Sequence, residues 1–352
     1  MEIANWNGKR FNSERGISDD PEVLDSVEAP RHHPLGTEST RIDIDVNHEA
    51  NTTDVAMTAD SRMGGVPEHL EINLSDRRVR LTLERRGPSD GALWLLLPAL
   101  STVSSRGEWH QFADAMKDHR QLVSFDWPGF GDSERPAIHY NAAVLSEALR
   151  AVLAHLKSTH GGKITLVAAG HSAAIALGLA EECSSGWQEL ILVAPTFRGP
   201  LPTMTGRPGR DFDWVRQLVE APVLGPILYR LNTSRSILKL MLRRHVWVDR
   251  ALLSKQRIRE QQLISRKPGA RFASVAFVSG GLDSSSDPSW WIEQTQQRHC
   301  PLHVVLAMES PPRSQEEMLK LAECADRITK IHGRLGLHEE FGRQLAQQLI
   351  AA

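Results

Sequence analysis

Ser172, His338 and Glu309 are the side chains of this sequence best suited to nucleophilic catalysis. A serine hydroxyl attacks a carbonyl only when a base takes its proton, and that base needs a carboxylate to fix its tautomer and stabilise its charge. Ser172 follows a buried-type apolar run, in Leu166-Val167-Ala168-Ala169-Gly170-His171-Ser172-Ala173-Ala174. A sharp strand-to-helix turn that presents a strained nucleophile tolerates only small residues two places before and after it. Two registers satisfy this rule. With Ser172 as nucleophile the flanks are Gly170 and Ala174; with Gly170 at that position they are Ala168 and Ser172. Each candidate also has a plain structural reading. Ser172 can cap the following helix, and His338 can sit in a first helical turn ahead of Glu339 and Glu340. Glu309 can cap the segment entering residues 315–320. His171 is either a wall residue whose backbone N–H faces the site or a general base in a mechanism without serine. Asp283, after Gly280-Gly281-Leu282, is an alternative acid or a turn residue.

The elements that must hold these residues follow from hydrophobic period. Residues 70–74 and 79–83 alternate with period two, the mark of an antiparallel hairpin. Short continuous apolar runs follow at residues 93–97, 122–125, 164–168, 190–193 and 303–306; runs buried on both faces belong to a central parallel sheet. Helical patterns at residues 109–117, 143–160, 173–183 and 339–350 lie between or after them. Alternating strands and helices predict an α/β architecture with helices on both faces of the sheet. Residues 199–270 interrupt this rhythm with helical stretches at 212–220, 228–244 and 251–265, and so predict a helical cap over the sheet's carboxyl edge. Residues 1–65 are polar, acidic and unpatterned, and are expected to form a flexible N-terminal arm before a domain spanning 66–352. Within the arm, Arg41-Ile42-Asp43-Ile44-Asp45-Val46 alternates like a short strand.

A net charge of −2 excludes the basic excess of a general nucleic-acid binder. Cys183, Cys300 and Cys324 are widely spaced, which argues against a disulfide framework and a zinc site and for a reducing compartment. No apolar run reaches the ~18 residues of a membrane span, and the start lacks the layout of a signal peptide. The expected location is cytoplasmic. No phosphate-loop, dinucleotide or metal motif is present, so no cofactor and no metal is expected.

Asp126-Trp127-Pro128-Gly129-Phe130-Gly131-Asp132-Ser133, directly after a buried strand, resembles the D-x-x-G-x-G-x-S turn of the α/β-hydrolase fold. With the G-H-S-A-A segment and the later strand and loop patterns, the resemblance covers residues from about 70 to 350. It implies that the loop Pro98-Ala99-Leu100-Ser101 supplies an oxyanion-hole N–H at Leu100, with Pro98 where the family usually has histidine. Ser101 and its neighbouring hydroxyls either face the site or satisfy the turn. Under strict family spacing the nucleophile, acid and base positions fall on Gly170, Ser310 and Leu335; local shifts bring in Ser172, Glu309 and His338. The helix after Ser172 is about two residues shorter than the family's usual length, whereas counting from Gly170 restores it. The implied function is a serine-type, esterase-like or acyl-transferring hydrolase acting on a small, largely apolar or aromatic molecule beneath the cap. The alternatives are a catalytically degenerate ligand- or partner-binding protein, and a lyase or oxygenase that uses a histidine base.

Overall fold

A computed structural model describes residues 61–287 and 289–351. The expected strand at residues 41–46 and most of the expected arm lie outside these residues. Eight strands form one sheet in the order β1-β2-β4-β3-β5-β6-β7-β8. They are β1 (Val66–Leu74), β2 (Arg77–Arg86), β3 (Leu93–Leu97), β4 (Gln121–Phe125), β5 (Ile164–Ala169), β6 (Trp187–Val193), β7 (Leu302–Ala307) and β8 (Arg327–Ile331). β1 and β2 form the expected hairpin, joined by Ser75 and Asp76 with φ of 49° and 60°. Two successive positive φ values give the turn that matches strand twist. From β4 to β8 every pairing is parallel, and the residues of β3 and β5 are all buried, as the unbroken apolar runs require. β8 alternates half-buried and exposed residues in Arg327-Ile328-Thr329-Lys330-Ile331, with only Ile331 buried, the pattern of an edge strand, which hides it from a search for apolar runs.

Helices Ala142–His160 and Gly342–Ile350 form where the period places them, the first against β1 and the second against helix His110–Met116. The expected helix over 228–244 is instead two, Leu224–Asn232 and Arg235–Met241. Ser234 is extended (ψ 151°) and interrupts the helical run. The helical insertion between β6 and β7 continues beyond residue 270 through helices Ala270–Ser279 and Ser289–Gln296. Helix Ala270–Ser279 crosses the carboxyl ends of β4 and β5. A Cβ placed on Gly129 would lie 2.4 Å from the Ala273 Cβ, so only glycine admits this crossing, and the Phe277 ring meets His171 edge-on at 5.6 Å. The insertion is also stitched to the last loop of the sheet. Gly336 N–H donates to the Val246 carbonyl at 3.0 Å, Trp247 Nε1 donates to Glu339 at 3.1 Å, and Val248 and Asp249 N–H donate to Glu340.

Residues 61–65, expected to belong to the arm, are bound to the domain. The buried Glu84 carboxylate accepts from Ser61 Oγ and from the N–H groups of Arg62, Met63 and Gly65, and Met63 is fully buried. A buried charge needs this many donors to offset its lost hydration.

Candidate active site

The turn after β5 carries both candidate nucleophile positions, Gly170 and Ser172. β5 ends at Ala169, helix Ser172–Gly178 follows, and Gly170 between them has φ of 52°. This left-handed, strained corner is the conformation of a nucleophile elbow. A Cβ added at Gly170 would meet only Ala99, at 2.9 Å from its Cβ, with no other atom within 4 Å apart from the Ala99 Cα. The space a side chain at this position would use is therefore bounded by Ala99 of the Pro98-to-Ser101 loop.

Ser172 lies two residues on, fully buried. Its Oγ donates to the Pro98 carbonyl and accepts from Trp127 Nε1 at 3.0 Å. The hydroxyl thus ties the start of the helix to the Pro98 loop and to the turn after β4. His338 is buried on the short helix Leu337–Glu340, and its Nε2 lies 2.9 Å from Glu108 Oε2. Glu309, after β7, pairs with His332 Nε2 at 2.7 Å on the surface side, where His332 is largely exposed. The structure therefore gives each of the three shifted candidates a separate partner. Among the described residues no hydrogen bond or ion pair joins Ser172, His338 and Glu309 to one another. The strict-spacing positions are Gly170, Ser310, whose buried Oγ has no hydrogen-bond partner among the described residues, and Leu335, whose N–H donates to the His245 carbonyl at 3.3 Å.

Leu100 is buried beside the elbow. Ser101 serves its own turn: its carbonyl accepts from Ser104 N–H and its Oγ from Val103 N–H at 3.3 Å. Glu108 organises this loop from below, accepting from Ala99 N–H at 2.8 Å and Ser105 N–H at 3.3 Å. No catalytic motif points to Glu108; its one sequence signal is the Ser105-x-x-Glu108 spacing of a capping box. Burial raises the Glu108 carboxyl to about 8 against the pull of those N–H donors, and burial lowers His338 to about 4. Both directions favour a neutral imidazole beside a protonated acid, a pair that holds the loop without carrying charge.

His171 begins where Gly170 ends and is fully enclosed. Its Nε2 donates to the Leu282 carbonyl at 3.2 Å and lies 3.5 Å from Asp283 Oδ1. A carbonyl only accepts, so the ring proton sits on Nε2 and Nδ1 keeps its lone pair. Nδ1 has no partner among the described residues. Burial lowers His171 to about 4, opposed by the Leu282 carbonyl. Burial also raises Asp283 to about 8, opposed by the N–H of Gly199, which donates to it at 2.8 Å.

Beneath the site lies a charged frame. Asp126 accepts from Arg106 N–H at 2.6 Å, from the Arg106 guanidinium, and from Asp132 N–H at 2.7 Å. Arg106 also bonds Glu84 at 2.7 Å, and Asp132 binds Arg62 and Lys267. Burial works against the Asp132 charge, but the bonds from Arg62 and Lys267 hold its carboxyl well below the usual range. This network joins the hairpin, the Gly-rich turn and the insertion. Among the described residues no group of three or more His, Cys, Asp or Glu side chains is placed to hold a metal ion.

The model of the alpha/beta hydrolase family matches residues 94–326, and the chain belongs to that family. A serine hydrolase involved in carbazole degradation (CarC enzyme) is similar in structure, with 17% identity over 81% of this chain and 98% of its own, at a TM-score of 0.58. Cfl2 from Burkholderia cenocepacia is 22% identical over 83% of this chain and 97% of its own, at 0.61. A thermophilic esterase from Thermogutta terrifontis is 20% identical over 81% and 97%, at 0.56. At these identities the likeness concerns the fold. No curated protein matches the sequence.

Proposed function

We propose that this chain is a non-hydrolytic member of its family, binding a small, largely apolar molecule between the carboxyl edge of the sheet and the helical insertion, without an acyl-serine step. One observation carries this reading: Gly170 occupies the left-handed elbow position, while the nearby hydroxyl of Ser172 is turned inward onto Pro98 and Trp127. A nucleophile must present its oxygen to substrate with a base in reach. Ser172 does neither, because both its bonds go to structural partners. The serine-hydrolase reading needs Ser172, His338 and Glu309 to leave three separate partners and converge, which means uncovering two buried polar groups. The test is turnover of p-nitrophenyl acetate by the parent, Ser172→Ala and His338→Ala proteins. Indistinguishable rates, close to the buffer background, are expected. A rate above background that both substitutions abolish would restore the hydrolase.

A second reading is favoured by His171 Nδ1, a neutral base with a fixed tautomer and no hydrogen-bond partner among the described residues. It suits proton abstraction from a bound molecule, as in a lyase or cofactor-free oxygenase. Under that reading, His171→Gln abolishes turnover while Ser172→Ala does not.

A further inference from the structure

One face of the helical insertion points outward although its pattern marks it for burial. Helix Leu224–Asn232 sets Leu224, Ile227, Leu228 and Leu231 at i, i+3, i+4 and i+7, the spacing of a core-facing stripe. All four are exposed, Leu224 at 56% and Leu231 at 63%, and Val223 just before them is 73% exposed. The helix is docked by other groups. The Tyr229 hydroxyl donates to Ser274 Oγ at 3.0 Å, and the Thr233 carbonyl just beyond the helix accepts from Gln262 Nε2 at 2.9 Å. The stripe is thus free of the fold that holds the helix. Helix Arg235–Met241 repeats the arrangement, with Ile237, Leu240 and Met241 exposed and Leu238 buried.

Charge is segregated in the same place. No Asp or Glu occurs between Glu220 and Asp249, whereas Arg230, Arg235, Lys239, Arg243 and Arg244 are all exposed there. Residues 200–272 hold 15 Lys and Arg against 5 Asp and Glu, in a chain whose net charge is −2. Arg230, Arg235 and Lys239 lie on the same two helices as the outward apolar residues, and Arg243 and Arg244 lie on the short helix Leu242–Val246 that directly continues the second.

We propose that this face is a docking surface for an anionic lipid bilayer, with the two helices lying in the headgroup region. Exposed leucines and isoleucines interleaved with Lys and Arg are what an interfacial helix needs: apolar area for the acyl boundary and positive charge for anionic headgroups. A second copy of the chain is a poorer occupant, because a symmetric pairing would set the five cations against the same five. No helix among the described residues is long and apolar enough to cross a membrane, so the contact is peripheral. This proposal is independent of what the site does.

The test is co-sedimentation of the full chain with vesicles of equimolar phosphatidylglycerol and phosphatidylcholine, beside vesicles of phosphatidylcholine alone. Binding to the mixed vesicles is expected, at least roughly tenfold stronger than to the neutral ones and weakened in ~0.5 M salt. Leu224→Glu with Leu231→Glu should lower the partition by roughly tenfold or more. Arg243→Gln with Arg244→Gln should lower it by a similar factor on the mixed vesicles only. Thermal melting of both variants should match the parent, since the substituted side chains are exposed. No partition into the mixed vesicles overturns the proposal, as does partition that neither double substitution reduces. A dimer in sedimentation velocity that Leu224→Glu/Leu231→Glu abolishes, without vesicle binding by the parent, assigns the face to a second copy instead.

Discussion

Ser172 and Gly170 divide between them what a single serine does in most catalytic elbows. Gly170 has the left-handed backbone of the elbow, with Ala99 so close that a side chain there would need the Pro98 loop to shift; Ser172 has the hydroxyl but spends it on Pro98 and Trp127. Ser172→Ala should therefore cost stability, about 1–2 kcal/mol, the loss of a buried hydrogen bond. Chemical denaturation checks this, and an unchanged midpoint would show that the hydroxyl is dispensable to the fold. The Glu108–His338 pair makes a pH prediction. Glu108 is raised to about 8, so its contribution is complete below the ordinary carboxylate range and is lost as pH rises towards 8. His338 is lowered to about 4, so its contribution is present above the ordinary histidine range and is lost as pH falls towards 4. Glu108→Gln keeps an acceptor for Ala99 and removes the ionisation. The variant's melting temperature should then fall less than the parent's between pH 6 and 9, by roughly the part this carboxyl contributes. Parallel curves for parent and variant would contradict it.

At the scale of elements, the sheet was legible in the sequence because its strands are buried on both faces and so are unbroken apolar runs. β8 was not legible, because an edge strand alternates. The break between helices Leu224–Asn232 and Arg235–Met241 was hidden because apolar residues continue through it, and only the extended Ser234 interrupts the helix. The two elbow registers could both be read from residue size; the left-handed φ of Gly170, on which the proposed reading rests, could not. His338 and Glu309 stood out by type, but their partners could not be read, since Glu108 lies 230 residues from His338 in the chain. The hold of Glu84 on residues 61–65 was not legible either, because it leaves no hydrophobic period. A truncation beginning at residue 66 should melt several degrees below one beginning at residue 61, on the order of 4 °C per kcal/mol lost. Equal melting temperatures would show that these contacts add nothing.

At the scale of the whole molecule, one charged frame connects the hairpin, the Gly-rich turn and the insertion through Arg106, Asp126, Asp132 and Lys267. Asp126→Ala removes one of several acceptors of the buried Arg106 guanidinium, which keeps Glu84 and Asp132, and the loss of buried hydrogen bonds to a charged group typically costs about 1–3 kcal/mol. The expected outcome is a large fall in the denaturation midpoint; near-parental stability would contradict the role given to this frame. The insertion held by that frame closes over His171 on one side and turns an apolar, basic face outward on the other. The fold is that of the alpha/beta hydrolase family, and under the proposed reading Gly170 leaves the elbow without a nucleophile. The most direct test is the intact mass of the protein after incubation with a serine-directed fluorophosphonate. The account predicts an unmodified mass for the parent and for Ser172→Ala alike; a stoichiometric adduct on the parent, mapped to Ser172 and absent from Ser172→Ala, would contradict it.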